Sequence, residues 1–298
     1  MQVSIVIVNY NTLWLTKECI QSIKENTTGL RYEIIVVDND SQDDIFTLKP
    51  TFPDVIFIKN DRNLGFAAAN NIGLKSASGE YILLLNSDTL ILNNPIKIAY
   101  DRMVQDPTIG ALTVKTWYPD KKMQVVAQKF PSILNNLIVL FRIDKLLSKE
   151  TKEQFFLDIH FDHNKAKVVD WIFGSFFMFK KQIVVDGFPN SQLQESFFMY
   201  AEDMQWCFYF KKLGYRVFFD PGGEIIHYCG ASDPGKKNLS KKYFDIMIPN
   251  EFVLLKEEKG ILWTFFYYFT KGLIHFSFMR KDQAEVGYNY FKYAFKVF

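Results

Sequence analysis

Tyr81-Ile-Leu-Leu-Leu-Asn-Ser-Asp-Thr-Leu-Ile-Leu92 decides the fold. Its first five residues are continuously apolar, as in a strand covered on both faces of a parallel sheet. The run breaks at Asn86-Ser87-Asp88, three short polar residues, before apolar character returns at Leu90. In open α/β sheets, ligands gather beyond the carboxyl ends of the strands. A hard divalent cation, held by one or two carboxylates together with substrate phosphates, suits such a place. A polar turn leaving a core strand explains the stretch equally well, so the rest of the chain must separate the two.

Upstream, Val3–Val8 reads as an apolar strand and Thr12–Asn26 as a helix, with Thr12 placed to cap it. Glu33–Val37 is a second strand, ending at Asp38-Asn39-Asp40-Ser41; Val55–Ile58 is a third, and Leu64–Ala77 a helix of small residues. Downstream come a helix over Pro95–Gln105 and a strand over Ile109–Thr116. Strands alternating with helices of this length predict βαβ units and a doubly wound, mostly parallel sheet. Residues 117–165 are less regular: Ile133–Leu147 reads as an amphipathic helix, and the whole segment as an insertion over one face of the site. Val168–Phe179 is strongly apolar, interrupted by Gly174-Ser175, where a backbone can approach a neighbour closely. A helix from Glu202 to Leu213 ends at Gly214. A strand over Tyr215–Phe219, a Pro221-Gly222-Gly223 turn and a short strand into His227 follow.

A chain of 298 residues holds one large or two small domains. The expected division is a nucleotide-binding and catalytic domain over residues 1–234 and an aromatic, basic helical tail over 235–298. The first part carries 24 basic and 27 acidic side chains, the tail 11 and 6. No Gly-x-Gly-x-x-Gly and no Gly-x-x-x-x-Gly-Lys-Ser/Thr follows the first strand, which excludes the dinucleotide fingerprint and the P-loop. Three scattered cysteines, Cys19, Cys207 and Cys229, point to a reducing compartment rather than a disulfide framework or zinc cage. No signal peptide precedes Val3–Val8 and no run of 18 uncharged apolar residues exists, so a spanning helix is not expected.

In Gly260–Met279, Thr264, Tyr268, Lys271 and His275 recur at helical spacing among residues that are otherwise nearly all apolar. Such a helix either packs on the main domain or lies in a membrane interface. Lys256, Lys259, Arg280 and Lys281 flank it, and anionic lipid attracts each by about 1 kcal/mol. A membrane surface is therefore an expected partner for residues 236–298, on the inner, cytoplasmic face of the cell membrane. No nucleic-acid partner is expected, and a homodimer is left open.

Three strand ends would share one edge of this sheet: Asn9-Tyr10-Asn11, Asp38-Asn39-Asp40 and Asn86-Ser87-Asp88. One such ending is an ordinary turn, whereas three together are what a polar ligand site requires. Lacking a phosphate loop, the site would neutralise phosphates most economically with a metal on Asp88. Glu202-Asp203 follows Phe197-Phe198-Met199-Tyr200 and opens a helix, where the dipole favours carboxylates. A carboxylate walled by aromatics suits a general base, a role worth roughly 10²–10⁴-fold. Neutral imidazole at His227 is a candidate second ligand beside Asp88.

Six stretches in order carry a family resemblance. They are Ser4-Ile-Val-Ile-Val-Asn-Tyr-Asn11, Ile35-Val-Val-Asp-Asn-Asp-Ser41, Asn63-Leu-Gly-Phe-Ala-Ala-Ala-Asn70, Leu84-Leu-Asn-Ser-Asp88, Tyr200-Ala-Glu-Asp203 and His227-Tyr-Cys-Gly-Ala-Ser232. Together, over residues 3–232, the chain resembles the inverting family 2 glycosyltransferases of the GT-A fold, especially their bacterial rhamnosyltransferase-like branch. That resemblance implies a Rossmann-like α/β domain with a C-terminal helical extension. It also implies transfer of a sugar, dTDP-rhamnose or a UDP-hexose being the first donors, to a glycan or lipid-linked acceptor hydroxyl.

Matched position by position, Asn9, Tyr10, Asn11, Asp38 and Asn39 resemble the pocket for base and ribose. Asn63, Gly65 and Asn70 match the loop and helix bordering the donor, and Asn86-Ser87 its phosphate turn. Gly174-Ser175 matches the floor of the donor-sugar and acceptor site. Asp88 and His227 match the contacts to Mn²⁺ or Mg²⁺, and Asp203, with Glu202 beside it, the catalytic base. The usual Asp-x-Asp reads Asn86-Ser87-Asp88, which leaves one strong ligand. Gln205 stands where the family usually has an acid, and the Gln-x-x-Arg-Trp of processive synthases is absent, so single-sugar addition is favoured. Two other functions compete: a nucleotidyltransferase, and a non-catalytic sugar-nucleotide-binding subunit of a membrane assembly complex.

Overall fold

The computed structural model describes residues 1–157, 161–229, 243–277 and 281–296. Along the chain these form β1 (Val3–Asn9), α1 (Leu13–Asn26), β2 (Tyr32–Asp38), β3 (Ile56–Lys59), α2 (Phe66–Ser76), β4 (Tyr81–Asn86), β5 (Thr89–Ile91), α3 (Pro95–Gln105), β6 (Ile109–Trp117), β7 (Met123–Gln124), β8 (Ala127–Gln128), α4 (Ile133–Leu140), α5 (Lys149–Phe155), β9 (Lys167–Val169), β10 (Trp171–Ile172), β11 (Phe176–Lys180), α6 (Lys181–Gly187), α7 (Glu202–Lys212), β12 (Arg216–His227), α8 (Ile248–Lys259), α9 (Ile261–Ser277) and α10 (Lys281–Phe295). Gly230-Ala231-Ser232, the end of the last matched stretch, lies outside the described residues, as do Met279 and Arg280.

The chain divides into two compact units: residues 1–127 with 162–236, and residues 128–161 with 237–298. Residues 128–161, read from the sequence as an insertion of the catalytic domain, thus group with the tail.

The first unit is an α/β domain on one mixed sheet, ordered β3-β2-β1-β4-β11-β6-β12-β5. β3, β2, β1 and β4 run parallel, as do β6 and β12. β11 enters antiparallel between β4 and β6. Alternation of side chains across the pleat supplies two faces, each needing cover. Val3, Ile5, Ile7, Phe176 and Met178 join Cys19, Ile20 and Ile23 of α1 and Ile96, Ala99 and Met103 of α3 in one core. On the other face Phe177 meets Trp206 of α7 at 5.6 Å, and Phe179 meets Phe210 at 6.1 Å. α2 covers Val6 and Val37, coming so close that a Cβ on Gly73 would sit 2.3 Å from Val6. Helices on both faces give the doubly wound architecture expected of the sequence.

Three local expectations change. Thr12 precedes α1, but its hydroxyl makes no cap hydrogen bond because Asn9 and Ser87 engage it instead. Pro221-Gly222-Gly223 is not a turn between two strands: Asp220 pairs with Val114 and Glu224 with Lys115, so the three residues bulge out of one continuous β12. The helix expected over Ile133–Leu147 stops at Leu140, followed by a 3₁₀ turn over Ile143–Leu146 that begins at Arg142 with φ 60°.

The second unit is helical. Along α9 the polar positions Thr264 and Tyr268 are fully buried, whereas Leu262 and Phe266 are exposed. Tyr268 donates to Glu251 of α8 at 3.0 Å, and Asn136 of α4 donates to the Tyr267 carbonyl and to Thr270. The helix therefore turns its polar stripe inward, towards partners that satisfy it, and leaves Leu262, Phe266 and Phe276 outward. Among the described residues, no helix is long and apolar enough to cross a membrane.

Candidate functional site

The register of the parallel strands assembles the edge. Asn9 pairs with Asp38 and Val8 with Asn86, so the three polar endings emerge side by side. A lattice of hydrogen bonds then joins them. Asn9 donates to Asp38 (2.6 Å) and Ser41 (3.0 Å) and accepts from Thr12 (3.0 Å) and Thr16 (2.7 Å). Thr12 also meets Ser87 at 2.8 Å, tying the end of β4 to the end of β1. Asn39 donates to Asn63 and the Gly65 carbonyl and accepts from Asn60 and the Leu64 amide.

An amide side chain has two donors and two acceptor positions, and Asn9 and Asn39 have both sets filled by the protein itself. Both are also buried. Together with Asp38, fully buried and accepting from the Ser41 amide as well as Asn9, they brace the edge. Tyr10 is half-buried and Asn11 and Asp40 are exposed, the last two in the left-handed region at φ 54° and 68°, which Asn and Asp tolerate; Asn11 Oδ1 accepts from the Gln42 amide at 2.9 Å.

Gly65 opens α2 at φ 85°, and a Cβ there would lie 2.4 Å from the Phe198 carbonyl, which accepts from the Phe66 amide. Only glycine fits both demands. The same segment is tied down by Asn71, which donates to the Leu193 carbonyl and to Glu195. Asn70, the neighbour singled out from sequence, is used within its own helix on the Phe66 carbonyl.

The turn after β4 meets the end of β12. His227 pairs with Thr89 in the antiparallel β5–β12 ladder, which sets its ring beside the turn. Nε2 lies 3.2 Å from Asp88 Oδ1 and 3.2 Å from Asn86 Nδ2, and both Asp88 and His227 are buried. Adjacent ligands of an octahedral cation with bonds near 2.1 Å stand about 3 Å apart, so the pair fits a divalent ion. Among the described residues no group of three or more His, Cys, Asp and Glu side chains converges.

α7 supplies the carboxylates. Tyr200 and Ala201, at φ 70° and 76°, are two successive non-glycine residues in the left-handed region. Each such placement costs about 1–2 kcal/mol, a cost of the kind that clusters at functional sites. Behind this kink Glu202 and Asp203 form the first turn. Asp203 is half-buried and accepts from the Met204 amide (2.8 Å) and the Gly174 amide (3.2 Å). Desolvation outweighs those bonds and pushes its carboxyl up to about 6. Burial, then the neighbouring Asp203 charge, push Glu202 well above the ordinary carboxylate range.

Gly174-Ser175 links the two halves: Gly174 donates to Asp203, and the Ser175 carbonyl accepts from the Asn86 amide at 3.2 Å. Around it Ser175 Oγ, Glu202 Oε2 and Gln205 Oε1 are buried without a hydrogen-bond partner. Buried polar atoms left in this state are what a polyhydroxylated ligand would satisfy. Gln205 itself donates to Ser196. Sequence reasoning missed Asn71, Thr16, Ser196 and Gln124, because single polar residues inside helices, irregular segments or a two-residue strand carry no pattern.

The family described as Glycosyl transferase family 2 matches residues 4–188. The chain is 27% identical over 238 residues to the rhamnosyltransferase WbbL of Escherichia coli K12, covering 76% of this chain and 83% of WbbL. It is 26% identical over 274 residues to the poly-β-1,6-N-acetyl-D-glucosamine synthase of Staphylococcus aureus, covering 83% of this chain and 60% of the synthase. Among solved structures, S. aureus TarS superposes with a TM-score of 0.54 at 16% identity, covering 95% of this chain and 45% of TarS, a likeness of fold. The family match spans more than half of the chain and covers β1 to β4 together with Gly174-Ser175: the chain belongs to glycosyl transferase family 2.

Proposed function

We propose that the protein transfers a single sugar, with inversion, from a nucleoside diphosphate donor to an acceptor hydroxyl during polysaccharide biosynthesis. One observation carries the reading. Asp203, a carboxyl poised near neutrality, is fastened to Gly174, while the next residue, Ser175, fastens the Asn-Ser-Asp turn. A base and a phosphate-side turn are thereby anchored to adjacent residues, as a displacement at one carbon needs. Ionised Asp203 takes the acceptor hydroxyl proton, the acceptor oxygen bonds to the anomeric carbon, and the bond from that carbon to phosphate oxygen breaks. The nucleoside diphosphate leaves with the electron pair. Asp88 and His227 would hold a Mn²⁺ or Mg²⁺ ion, which when bound supplies Lewis-acid stabilisation of the departing diphosphate.

Tyr10, Asn11 and Asp40 are the groups available to the base and ribose, while Asn9, Asp38 and Asn39 act by holding them. Ser175, Glu202 and Gln205 face the sugar or acceptor hydroxyls with unspent hydrogen-bonding capacity. The likeness to a rhamnosyltransferase makes dTDP-rhamnose the first donor to test, ahead of UDP-hexoses. With Mn²⁺ and a glycan or lipid-linked acceptor, acceptor-dependent release of dTDP or UDP is expected. Pyrophosphate release from a nucleoside triphosphate would make it a nucleotidyltransferase instead, and donor binding with no turnover on any acceptor would make it a binding subunit.

The outward apolar stripe of α9 supports a second part of the reading. Leu262 and Phe266, with Trp263 under Lys259, give an interfacial helix whose basic end meets anionic headgroups. On this reading the enzyme works at the inner face of the cell membrane, where a lipid-linked acceptor would reside. Sedimentation with vesicles containing phosphatidylglycerol should carry the protein down, and Leu262→Glu with Phe266→Glu should release it. Equal sedimentation of the double variant would remove α9 from the contact.

A further inference from the structure

Gln124 belongs to none of the stretches that mark the family, yet it is the residue on which His227 leans. It ends β7, a two-residue strand paired with Thr116 and Trp117 of β6, and is buried. His227 Nδ1 lies 2.8 Å from Gln124 Oε1. Gln124 Nε2 donates to the His227 carbonyl at 3.5 Å, and the same side chain hydrogen-bonds the Tyr118 phenol, whose pKa burial raises above its ordinary value.

The orientation of the amide follows from these partners. The carbonyl accepts only, so the nitrogen end of the amide must face it. Oε1 is then directed at the imidazole, and an acceptor there requires a proton on Nδ1. In the neutral ring, a proton on Nδ1 leaves the lone pair on Nε2. Nε2 is the atom 3.2 Å from Asp88 Oδ1, with the Asn86 amide nitrogen also 3.2 Å away. The Asn86 amide can donate to that lone pair, whereas the Asp88 carboxylate only accepts, so the Gln124 contact is the one that selects the tautomer, and a cation between Nε2 and Asp88 would reconcile the two.

We propose that Gln124 is the positioning residue of the metal-side half of this site: it holds the His227 ring in the Nδ1–H tautomer and presents the Nε2 lone pair beside Asp88. The inference rests on the reading of Asp88 and His227 as cation ligands. Hydrogen-bonded partners of this kind orient a ligating imidazole and raise its basicity, and losing one costs about 10–100-fold in metal affinity. A glutamine meets the local demand because it accepts from the ring and donates to the backbone in one side chain. Leucine can do neither, and glutamate can only accept.

The test uses the full chain with Mn²⁺ alone as probe, followed by water-proton relaxation, and ¹⁵N-histidine NMR of the metal-free protein at a pH where the ring is neutral. Wild type should show Nδ1 protonated. Gln124→Leu should mix the two tautomers and weaken Mn²⁺ binding 10–100-fold. Gln124→Glu, which keeps size and acceptor, should retain the tautomer and bind Mn²⁺ within a few-fold of wild type, which separates positioning from misfolding. A wild-type ring protonated on Nε2, or an unchanged tautomer in Gln124→Leu, overturns the proposal. Should His227→Ala leave Mn²⁺ binding intact, the ligand reading of His227 falls, while the NMR result still decides whether Gln124 sets the ring.

Discussion

Asp203→Asn is expected to lower transfer at least a hundredfold while donor affinity stays within a few-fold of wild type. General-base contributions run to about 10²–10⁴ in rate, and the amide cannot take a proton from the acceptor. The pH profile adds a second signature. The wild-type rate should rise along a limb centred near pH 6 as Asp203 loses its proton, since burial holds that carboxyl at about 6.

The sign for stability is opposite. A folded pKa above the ordinary 3.8 means that the native state binds more protons than the unfolded chain between about pH 4 and pH 6. The Asp203 contribution to stability therefore falls as pH rises through that window. In Asp203→Asn this slope should disappear from thermal unfolding followed against pH. One loss accompanies it: both carboxylate oxygens accept a backbone amide, and the asparagine nitrogen cannot replace either. A modest drop in Tm is therefore expected at low pH, where wild type is protonated. Transfer within a factor of ten of wild type would remove Asp203 from the base role.

Asp88→Ala is expected to abolish the Mn²⁺ dependence of donor binding and to lower transfer by a factor of at least a hundred. With Asp88 and His227 as its protein ligands, a cation would bind as a partner of the donor diphosphate more than as a resident of the protein. Calorimetry of donor with and without Mn²⁺ should show enhancement in wild type and none in the variant. The fold should tolerate the change, because alanine removes a buried carboxylate and leaves the Tyr228 amide on the residue-88 carbonyl. Wild-type donor affinity that is indifferent to Mn²⁺ would instead leave Asp88 as a brace for His227.

Much of the edge was legible because each strand is a run of buried apolar residues ending in short polar ones. Val3–Val8, Glu33–Val37 and Tyr81–Leu85 announce their own C-terminal ends, and parallel pairing aligns those ends without further information. Direction was not legible for β11: Phe176–Phe179 is apolar whichever way it runs, so its antiparallel entry between β4 and β6 had no signature. Nor could sequence separate a polar residue facing a ligand from one saturated by neighbours. Asn9 and Asn11 look alike in the chain, yet four protein partners consume the first, whereas the second is exposed and accepts from the Gln42 amide alone among the side-chain contacts described. Thr12 had the right place for a cap and found tertiary partners instead. In α9 the polar stripe is the buried one, since Glu251 and the Gly260 carbonyl wait to receive it.

The late arrival of β11 has a bearing on biosynthesis. Strands β1 to β6 are all made before Phe176, but β4 and β6 do not pair with each other and each leaves a flank to β11. Until that stretch emerges, the nascent domain carries open hydrogen-bonding rims of apolar strand along β4 and β6, the kind of surface that recruits other chains. Closing the seam also delivers Gly174 and Ser175. A ribosome stalled short of residue 174 would thus release an aggregation-prone polypeptide whose Asn-Ser-Asp turn lacks the Ser175 carbonyl that fastens it.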